Sequence, residues 1–324
     1  MRSDNTGTSP ASLWSAEARA RRAGQPTVRL AGRGRGRFRG CGLAAGALLA
    51  VLAAHADASD LTAPDTTDMV AGLRVAFWMP PQGRLARSAR HPLVLFSHGF
   101  GGCSTQSGYL MRAFAGQGFV VAAPDHRDEQ CGAAGPPTSL PASLGDPQNW
   151  APEFHKDRGE EISALRAALE RDGSPAGPVD PSRVVLVGHS LGGYTVLALA
   201  GGWPQWRRDG VAAVVALAPF AEPLTAPGGA LEAIQAPVLL QAGTADPLVT
   251  PSVETRIFPA LAAASPACLV VLPDAGHFAW TALETTHHAA TATVAVAFVE
   301  EVLTGGRPGA ASLRAPATAR TTCR

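Results

Sequence analysis

The chain has 324 residues, of which 46% are hydrophobic and 16% charged, and its formal net charge is +1. This is a globular composition without the excess of positive charge that nucleic-acid binding requires, so no nucleic-acid partner is expected. With an N-terminal leader set aside, the length suits one large α/β domain.

Residues 1–56 are predicted to be a leader and signal peptide that is removed from the mature protein. Four arginines between residues 33 and 39 precede an apolar stretch, 43–54, which is too short to cross a bilayer but suits a signal-peptide core. Small residues favour cleavage after Ala56, with Ala58 as the alternative. Cys41 comes before the apolar stretch, where a lipid anchor is not expected. The mature protein is therefore predicted to be exported, without a stable membrane anchor.

The predicted mature chain keeps four cysteines, an even number that permits two disulfides in an exported protein. Cys103 and Cys131 are both expected in loops at the same edge of the sheet, which favours a bridge between them. A second bridge, between Cys268 and Cys323, would tie the C-terminal tail to the domain. Three pairings are possible from the sequence alone, and four free thiols are the alternative.

Apolar segments of strand and helix type alternate along residues 57–303, the predicted domain. Strands are predicted at 73–79, 92–97, 119–123, 184–187, 211–217, 238–241 and 269–272. Helices are predicted at 109–116, 153–171, 194–200, 253–264 and 283–303. A Gly/Pro-rich insert occupies 126–152, and a flexible tail is expected at 304–324. Continuous apolar strands that alternate with helices predict an α/β fold with a mostly parallel central sheet and helices on both faces.

A glycine-rich turn joins the strand 184–187 to the helix 194–200, and it contains Gly188-His189-Ser190-Leu191-Gly192. A G-x-S-x-G turn between a strand and a helix is typical of a nucleophile elbow, which lifts the serine hydroxyl above the edge of the sheet. Bulk on either side of such a serine would clash, so glycine is required at 188 and 192. We therefore predict that Ser190 is a nucleophile, with an ordinary strand-to-helix turn as the alternative.

A serine hydroxyl needs a base to accept its proton, and the base needs a third group to orient it. Asp246 and His277 each follow a predicted strand, at the sheet edge where ligands bind in folds of this class. Asp246 is the predicted acid and His277 the predicted base. Two other acids are weaker candidates, since Asp274 lies in the same loop as His277 and Glu222 follows the preceding strand.

The negative oxygen that forms when a serine attacks a carbonyl needs two hydrogen-bond donors already in place. The backbone N–H of Leu191, at the start of the helix, is one predicted donor. The glycine-rich loop 98–102 supplies the other, for which the Phe100 N–H is preferred and the Gly101 N–H is the alternative. His98 is expected to form a hydrogen bond within this loop.

The remaining polar residues predict neither a cofactor nor a metal site. Segment 124–128 reads Pro-Asp-His-Arg-Asp and contains metal-capable side chains, but their spacing is not that of a ligand set, so local salt bridges are expected. His287 and His288 fall within the last predicted helix and are expected at the surface. The sequence contains neither a phosphate loop nor a dinucleotide motif.

Two segments resemble the dienelactone hydrolase-like and platelet-activating-factor acetylhydrolase-like group of the α/β-hydrolase superfamily. They are 96–102, Phe-Ser-His-Gly-Phe-Gly-Gly, and 118–128, Gly-Phe-Val-Val-Ala-Ala-Pro-Asp-His-Arg-Asp. The resemblance covers residues 70–304 and implies the α/β-hydrolase fold. The strand after the elbow ends without the aspartate that the acetylhydrolases place there, so the resemblance to dienelactone hydrolases implies Asp246 as the acid.

The elbow at 188–193 also resembles that of bacterial cutinases, which are polyester hydrolases. In those enzymes two aromatic residues flank the ester, which implies that Phe100 and Phe220 bind substrate; core packing is the alternative role for both. His189 is included among the predicted substrate-binding residues. The insert at 126–152 departs from the cutinase pattern and would narrow an open groove.

Together these residues predict an exported serine hydrolase that cleaves carboxylic esters through Ser190, His277, Asp246 and an acyl-enzyme. The predicted partner is a small-molecule or polymeric ester, and cutinase-like polyester hydrolysis is the alternative activity. A non-catalytic binding protein on the same scaffold is an alternative of another class, and it would be expected to lack part of this constellation.

Overall fold

A nine-stranded sheet runs through the residues that the computed structural model describes, which are 62–81, 90–131, 146–171 and 173–324. The predicted leader, 1–56, and residues 132–145 of the predicted insert lie outside this part of the chain. The strands are β1 (Thr66–Val70), β2 (Leu73–Trp78), β3 (His91–Ser97), β4 (Val120–Pro124), β5 (Val179–His189), β6 (Val211–Leu217), β7 (Val238–Gly243), β8 (Ala267–Leu272) and β9 (Arg320–Cys323).

Helices connect most of these strands. The longer ones in the described residues are α1 (Gly108–Gly116), α2 (Lys156–Leu169), α3 (Leu191–Leu197) and α4 (His288–Leu303). Helix α3 continues into a wider turn at Ala198–Gly202, and short helical turns occupy 250–260. All the predicted strands are present, and the structure adds β1 and β9 to them.

The order of the strands in the sheet is β1-β2-β4-β3-β5-β6-β7-β8-β9. The six strands from β3 to β8 are parallel to their neighbours within that group, whereas β1, β2 and β9 pair antiparallel at the two ends. Every residue of β4, β7 and β8 is buried. Burial of both faces is expected where helices cover a parallel sheet on each side, so the predicted α/β-hydrolase architecture is confirmed.

The register of the parallel strands brings distant parts of the chain to one edge of the sheet. Ser97 at the end of β3 pairs with Gly188, and His189 at the end of β5 pairs with Leu217. On the other side, Gly243 at the end of β7 pairs with Leu272. The loops that follow β3, β5, β6, β7 and β8 therefore start side by side, which places the predicted site residues near one another.

The end of the chain differs from the expectation of a flexible tail. Arg320–Cys323 form β9, which pairs antiparallel with β8, and Cys323 lies opposite Cys268 in the register. A disulfide joins this pair, with Cα atoms 4.1 Å apart, and another joins Cys103 to Cys131. Both predicted bridges are present. The four residues of β9 do not show a strand pattern in the sequence, because they are polar or small and follow a Gly/Pro-rich segment. Their pairing with β8 holds them in a strand.

Helix α4 begins at His288, later than the predicted 283, and hydrogen bonds from backbone to side chains form turns before it. The Thr281 hydroxyl accepts a hydrogen bond from the Leu283 N–H at 3.2 Å, and the Glu284 carboxylate accepts one from the Thr286 N–H at 2.8 Å. These bonds stabilise turns up to the start of α4. Within the described residues, no helix combines the length and apolar character needed to span a membrane.

Candidate active site

Ser190 sits in a strained backbone conformation between β5 and α3. Its φ is 54° and its ψ is −116°, which lies outside the regions that residues with a side chain normally adopt. Three hydrogen bonds hold it there. The Ser190 N–H donates to the Leu217 carbonyl at 2.9 Å, and its carbonyl accepts from the N–H groups of Tyr194 and Phe220 at 3.1 and 3.0 Å.

Two glycines make this turn possible. A Cβ atom on Gly188 would overlap the Gly192 carbonyl, and one on Gly192 would overlap the carbonyl of Ser97 at the end of β3. The backbones of β3, β5 and α3 approach so closely here that no side chain fits between them. The structure therefore gives the reason for the glycines that the sequence pattern requires on each side of Ser190.

The structure brings Ser190, His277 and Asp246 within hydrogen-bond distance of one another. The Ser190 Oγ atom lies 3.0 Å from Nε2 of His277, and Nδ1 of His277 lies 2.8 Å from Oδ2 of Asp246. Ser190 is 8% exposed and His277 5% exposed, while Asp246 is buried. Of these three hydrogen-bonded side chains, Ser190 is thus the most exposed and Asp246 the least exposed.

The second carboxylate oxygen of Asp246 is also engaged. Its Oδ1 atom accepts hydrogen bonds from the backbone N–H groups of Leu248 and Val249, at 3.0 and 3.3 Å. The two other candidate acids lie elsewhere. Asp274 is exposed, and Glu222 forms an ion pair with Arg256. Of the three acids considered, the described structure pairs only Asp246 with His277.

The loop after β3 folds back against the elbow. The Gly99 carbonyl accepts a hydrogen bond from the Gly102 N–H at 3.0 Å, in a turn where Gly101 has a φ of 64°. A Cβ atom on Gly99 would lie 3.4 Å from Cβ of Ser190, so this turn passes close to the serine. Among the described residues, no group outside the helices and strands accepts a hydrogen bond from the backbone N–H of Phe100, Gly101 or Leu191.

His98 makes the hydrogen bond predicted within this loop. Its Nε2 atom accepts from the His126 N–H at 3.0 Å, so Nδ1 carries the proton and donates to the Gly99 carbonyl at 2.8 Å. Burial and the neighbouring Arg158 cation lower the pKa of His98 to about 3. The ring is therefore neutral at physiological pH, and its two hydrogen bonds hold the loop in place.

His189, predicted to bind substrate, is buried and contacts the loop that carries His277. Its Nε2 atom is 2.9 Å from the His277 carbonyl, and its Nδ1 atom accepts a hydrogen bond from Nε2 of Gln106 at 3.0 Å. The Gln106 side-chain oxygen in turn accepts from the Gly99 N–H at 3.1 Å. Burial and the nearby His277 ring lower the pKa of His189 to about 3. Since both ring nitrogens are occupied and the ring is buried, its contacts are those of a residue that supports the loops.

Aromatic rings lie beside the elbow. Phe100 and Phe220 are both partly exposed and pack against the core, so the packing role considered from the sequence is present for both, and substrate binding stays a prediction. Trp150, from the described end of the predicted insert, packs against Phe220 with ring centroids 5.6 Å apart and against Phe154 at 5.9 Å. Phe154 is 40% exposed. The described end of the insert therefore supplies a buried aromatic partner to Phe220.

The segment 124–128 forms ion pairs, but with residues distant in the sequence and not locally as expected. Arg74 pairs with Asp125 at 2.6 Å, Arg158 with Asp128 at 2.8 Å, and Nδ1 of His126 lies 2.7 Å from Glu161. One further cluster of metal-capable side chains occurs in the described residues, formed by Cys103, Glu129 and Cys131. Its two sulfur atoms are joined in a disulfide and supply no thiolate ligand.

His287 and His288, expected at the surface of the last helix, are partly buried instead. The His287 Nδ1 atom lies 3.2 Å from the Glu284 carboxylate. The His288 ring stacks on Tyr109 with centroids 3.5 Å apart, and its Nε2 atom bonds to the Thr281 carbonyl at 2.9 Å. Both rings therefore stabilise the start of α4.

The fold, together with a serine, a histidine and an aspartate grouped at the carboxyl ends of parallel strands, defines the chain as an α/β hydrolase. A family model matches residues 82–303, which is more than half of the chain, and describes the dienelactone hydrolase family. The chain belongs to the dienelactone hydrolase family.

Two characterised relatives share parts of the sequence. Platelet-activating factor acetylhydrolase of Cavia porcellus is 33% identical over 152 residues, which cover 38% of this chain and 34% of that protein. S-formylglutathione hydrolase of Rattus norvegicus is 29% identical over 171 residues, which cover 48% of this chain and 55% of that protein. The matches thus span about a third of the first relative and about half of the second.

Solved structures share the fold. A ferulic acid esterase from Streptomyces cinnamoneus superposes with a TM-score of 0.55 at 19% identity, covering 78% of this chain and 88% of that one. A putative dienelactone hydrolase from Klebsiella pneumoniae gives a TM-score of 0.52 at 19% identity, covering 71% of this chain and 93% of that one. At this level of identity the likeness concerns architecture alone.

Proposed function

We propose that this member of the dienelactone hydrolase family is a carboxylic ester hydrolase that uses Ser190, His277 and Asp246 as a catalytic triad. The observation that supports it best is the unbroken hydrogen-bonded row from the Ser190 hydroxyl to the Asp246 carboxylate. A non-catalytic binding protein would be expected to lack part of this row. The relatives named above are hydrolases by their descriptions, which agrees with the proposal.

Acylation begins when Ser190 Oγ attacks the ester carbonyl carbon and Nε2 of His277 takes the hydroxyl proton. Asp246 holds the His277 ring by its Nδ1–H and stabilises the imidazolium that forms. The backbone N–H groups of Phe100 and Leu191 stabilise the negative oxygen of the tetrahedral intermediate. His277 then gives its proton to the leaving alcohol, and the acyl group stays on Ser190.

Deacylation repeats these steps with water as the nucleophile. His277 removes a proton from the water, which attacks the acyl carbonyl, and the same two N–H groups stabilise the second oxyanion. The proton returns to Ser190 Oγ as the carboxylic acid leaves. Every proton transfer in this scheme uses Nε2 of His277, the atom that lies 3.0 Å from the serine hydroxyl.

Soluble esters of small alcohols are the proposed substrates. Trp150 packs on Phe220 next to the elbow, which supports the expectation that the insert narrows the approach to Ser190. Cutinase-like polyester hydrolysis is the second candidate, favoured by the partly exposed rings of Phe100 and Phe220. Release of soluble products from a polyester film, measured beside hydrolysis of soluble esters, separates the two candidates.

The test of the proposal is hydrolysis of p-nitrophenyl esters of graded chain length by the purified wild type, Ser190→Ala and Ser252→Ala. Ser252 is a matched control, a partly buried serine whose hydroxyl donates to the Val249 carbonyl. We expect Ser190→Ala to lose at least about 1,000-fold in kcat with its melting temperature preserved, and Ser252→Ala to keep its activity. A fluorophosphonate should label Ser190. Absence of hydrolysis across the whole ester panel, or activity in Ser190→Ala, would refute the proposal.

We also propose that the protein is exported after cleavage of the leader. Two disulfides among the described residues support this, since such bonds persist in oxidising compartments. N-terminal sequencing of the secreted or periplasmic protein tests the prediction, and Asp57 is the expected first residue. A mature protein that begins at Ser59 would favour the alternative cleavage after Ala58, and a retained leader would contradict export by this route.

A further inference from the structure

Arg158 is a buried arginine whose guanidinium lies against the loop that follows β3. The residue belongs to α2 and is 1% exposed. Its Nη1 atom donates to the His98 carbonyl at 2.6 Å, and its Nη2 atom donates to the Gly99 carbonyl at 3.2 Å. Two consecutive carbonyls of one loop are thus held by a single side chain.

Asp128 neutralises this buried cation. Both of its carboxylate oxygens lie 2.8 Å from Nη2 of Arg158, and one of them also accepts a hydrogen bond from Nε at 3.1 Å. Burial by itself would raise the pKa of Asp128, but the charge of Arg158 outweighs it and the pKa is lowered. The pair is therefore ionised at physiological pH. Burying an ion pair has a large desolvation cost, which hydrogen bonds to the remaining donors offset.

The position of these carbonyls fixes the direction of the neighbouring N–H. In a trans peptide the C=O and N–H groups point to opposite sides. The Gly99 carbonyl is held by Arg158, by His98 Nδ1 and by the Gly102 N–H. The Phe100 N–H of the same peptide must point away from Arg158, on a loop that passes close to Cβ of Ser190. A cation on the carbonyl oxygen also polarises the peptide and strengthens its N–H as a donor.

We infer that Arg158, anchored by Asp128, is a positioning residue that fixes and polarises the Gly99–Phe100 peptide so that the Phe100 N–H acts as an oxyanion donor. The inference rests on the proposed ester hydrolysis. Of the two candidate oxyanion donors in this loop, it selects the N–H of Phe100 over that of Gly101. Arg158 itself touches no reacting atom. A lysine in its place would carry the charge but lacks the planar fork that reaches two carbonyls and a carboxylate together.

The experiment compares Arg158→Lys with Arg166→Lys, a control on the same helix whose guanidinium bonds to Glu170 and to the Asp209 carbonyl. We expect Arg158→Lys to lower kcat by about 100-fold, as small displacements of catalytic groups do, with KM changed by less than about twofold. Affinity for an arylboronic acid, which forms a tetrahedral adduct on the serine, should fall in parallel with kcat/KM. The control should keep both values.

A crystal structure of Arg158→Lys separates this inference from the proposed function. A rotated or disordered Gly99–Phe100 peptide shows that Arg158 positions this peptide, whether or not the wild type hydrolyses esters, and the losses of kcat and boronate affinity then test the role of the Phe100 N–H as an oxyanion donor. An unmoved peptide, or a lower melting temperature with unchanged kcat and boronate affinity, overturns it and leaves the triad proposal standing. If the lysine variant does not fold, Asp128→Asn is measured in the same way, and an unchanged kcat and peptide orientation there would equally overturn the inference.

Discussion

The side chain of Gln106 joins the two loops that surround Ser190. Its oxygen accepts a hydrogen bond from the Gly99 N–H at 3.1 Å, and its nitrogen lies 3.0 Å from Nδ1 of His189, whose other nitrogen bonds to the His277 carbonyl. A single glutamine therefore links the loop that would bind the oxyanion with the loop that holds the proposed base.

Replacing Gln106 with methionine keeps the length of the side chain but removes both hydrogen bonds. We expect kcat to fall about tenfold, because the two loops lose their common support, and the free energy of unfolding to fall by about 2 kcal/mol for the partners left unpaired. Ester kinetics and urea unfolding measure the two effects. Gln117→Met, at the exposed end of α1, is the control. Unchanged kcat in Gln106→Met would show that the link has no part in catalysis.

Asp246→Asn tests the proposed acid. The amide keeps the size of the carboxylate but favours the wrong tautomer of His277 and cannot stabilise an imidazolium, so kcat should drop by about 10³- to 10⁴-fold. Asp274→Asn is the matched control, because Asp274 is the exposed competitor and has a φ of 57° that asparagine tolerates. A large loss in Asp274→Asn with activity preserved in Asp246→Asn would reverse the assignment.

Phe220→Ala tests the aromatic surface beside the elbow. Loss of the ring removes the packing partner of Trp150 and one of the two rings proposed to bind substrate, so kcat/KM for a bulky aromatic or long acyl ester should fall about tenfold. Hydrolysis of an acetyl ester should change by less than about threefold. Phe258→Ala, whose ring lies under Arg324, is the control for loss of a phenyl group. Equal losses on both esters would assign Phe220 to core packing alone.

Glu161 is the basis of a prediction about pH. Burial raises its pKa to about 7, and Asp157 adds to the effect. Between about pH 4.5 and 7 the unfolded chain is ionised at this position while the folded protein stays protonated, so stability falls as pH rises and levels off above pH 7. The groups that face it are His126, Arg127, Asp128, Asp157 and Arg158.

Glu161→Gln should remove the contribution of this carboxyl group to the pH dependence of stability. It should also raise the free energy of unfolding above pH 7 by up to about 3 kcal/mol. The measurement is urea unfolding of wild type and variant from pH 5 to pH 8. His126, whose pKa is lowered chiefly by burial, contributes the opposite slope and lies 2.7 Å from Glu161, so the difference between the two proteins reports on this pair. Glu160→Gln, an exposed neighbour paired with Lys156, is the control. Parallel curves for the wild type and Glu161→Gln would contradict the prediction.

The sheet and the three central side chains could be predicted because each depends on a local pattern. Strands such as β7 and β8 are short apolar runs, and Ser190 lies in a turn whose glycines leave few alternatives. Asp246 and His277 follow such runs, so the topology of a parallel sheet brings them together without knowledge of any contact.

No pattern in the sequence predicted the residues whose contacts are with distant parts of the chain. Arg158 and Glu161 lie in a charged stretch at the start of α2. The composition of this stretch is that of a solvent-exposed helix surface. Helical spacing was the available signal, since both residues share the apolar face of Ile162, Leu165 and Leu169. Gln106 offered no such signal, because it lies in a polar loop and its partner His189 is far away in the sequence.

We expect the disulfide between Cys268 and Cys323 to protect the protein against self-association, because it keeps the edge of the sheet covered. It holds β9 along β8, and β8 is a run of six buried residues, Ala-Cys-Leu-Val-Val-Leu, with high β propensity and no charge. If the bond is cleaved and the short strand detaches, β8 becomes an open sheet edge, the kind of template on which chains stack into aggregates. Thiol reductants during purification should therefore be avoided, because turbidity rather than lost chemistry would be their first visible effect.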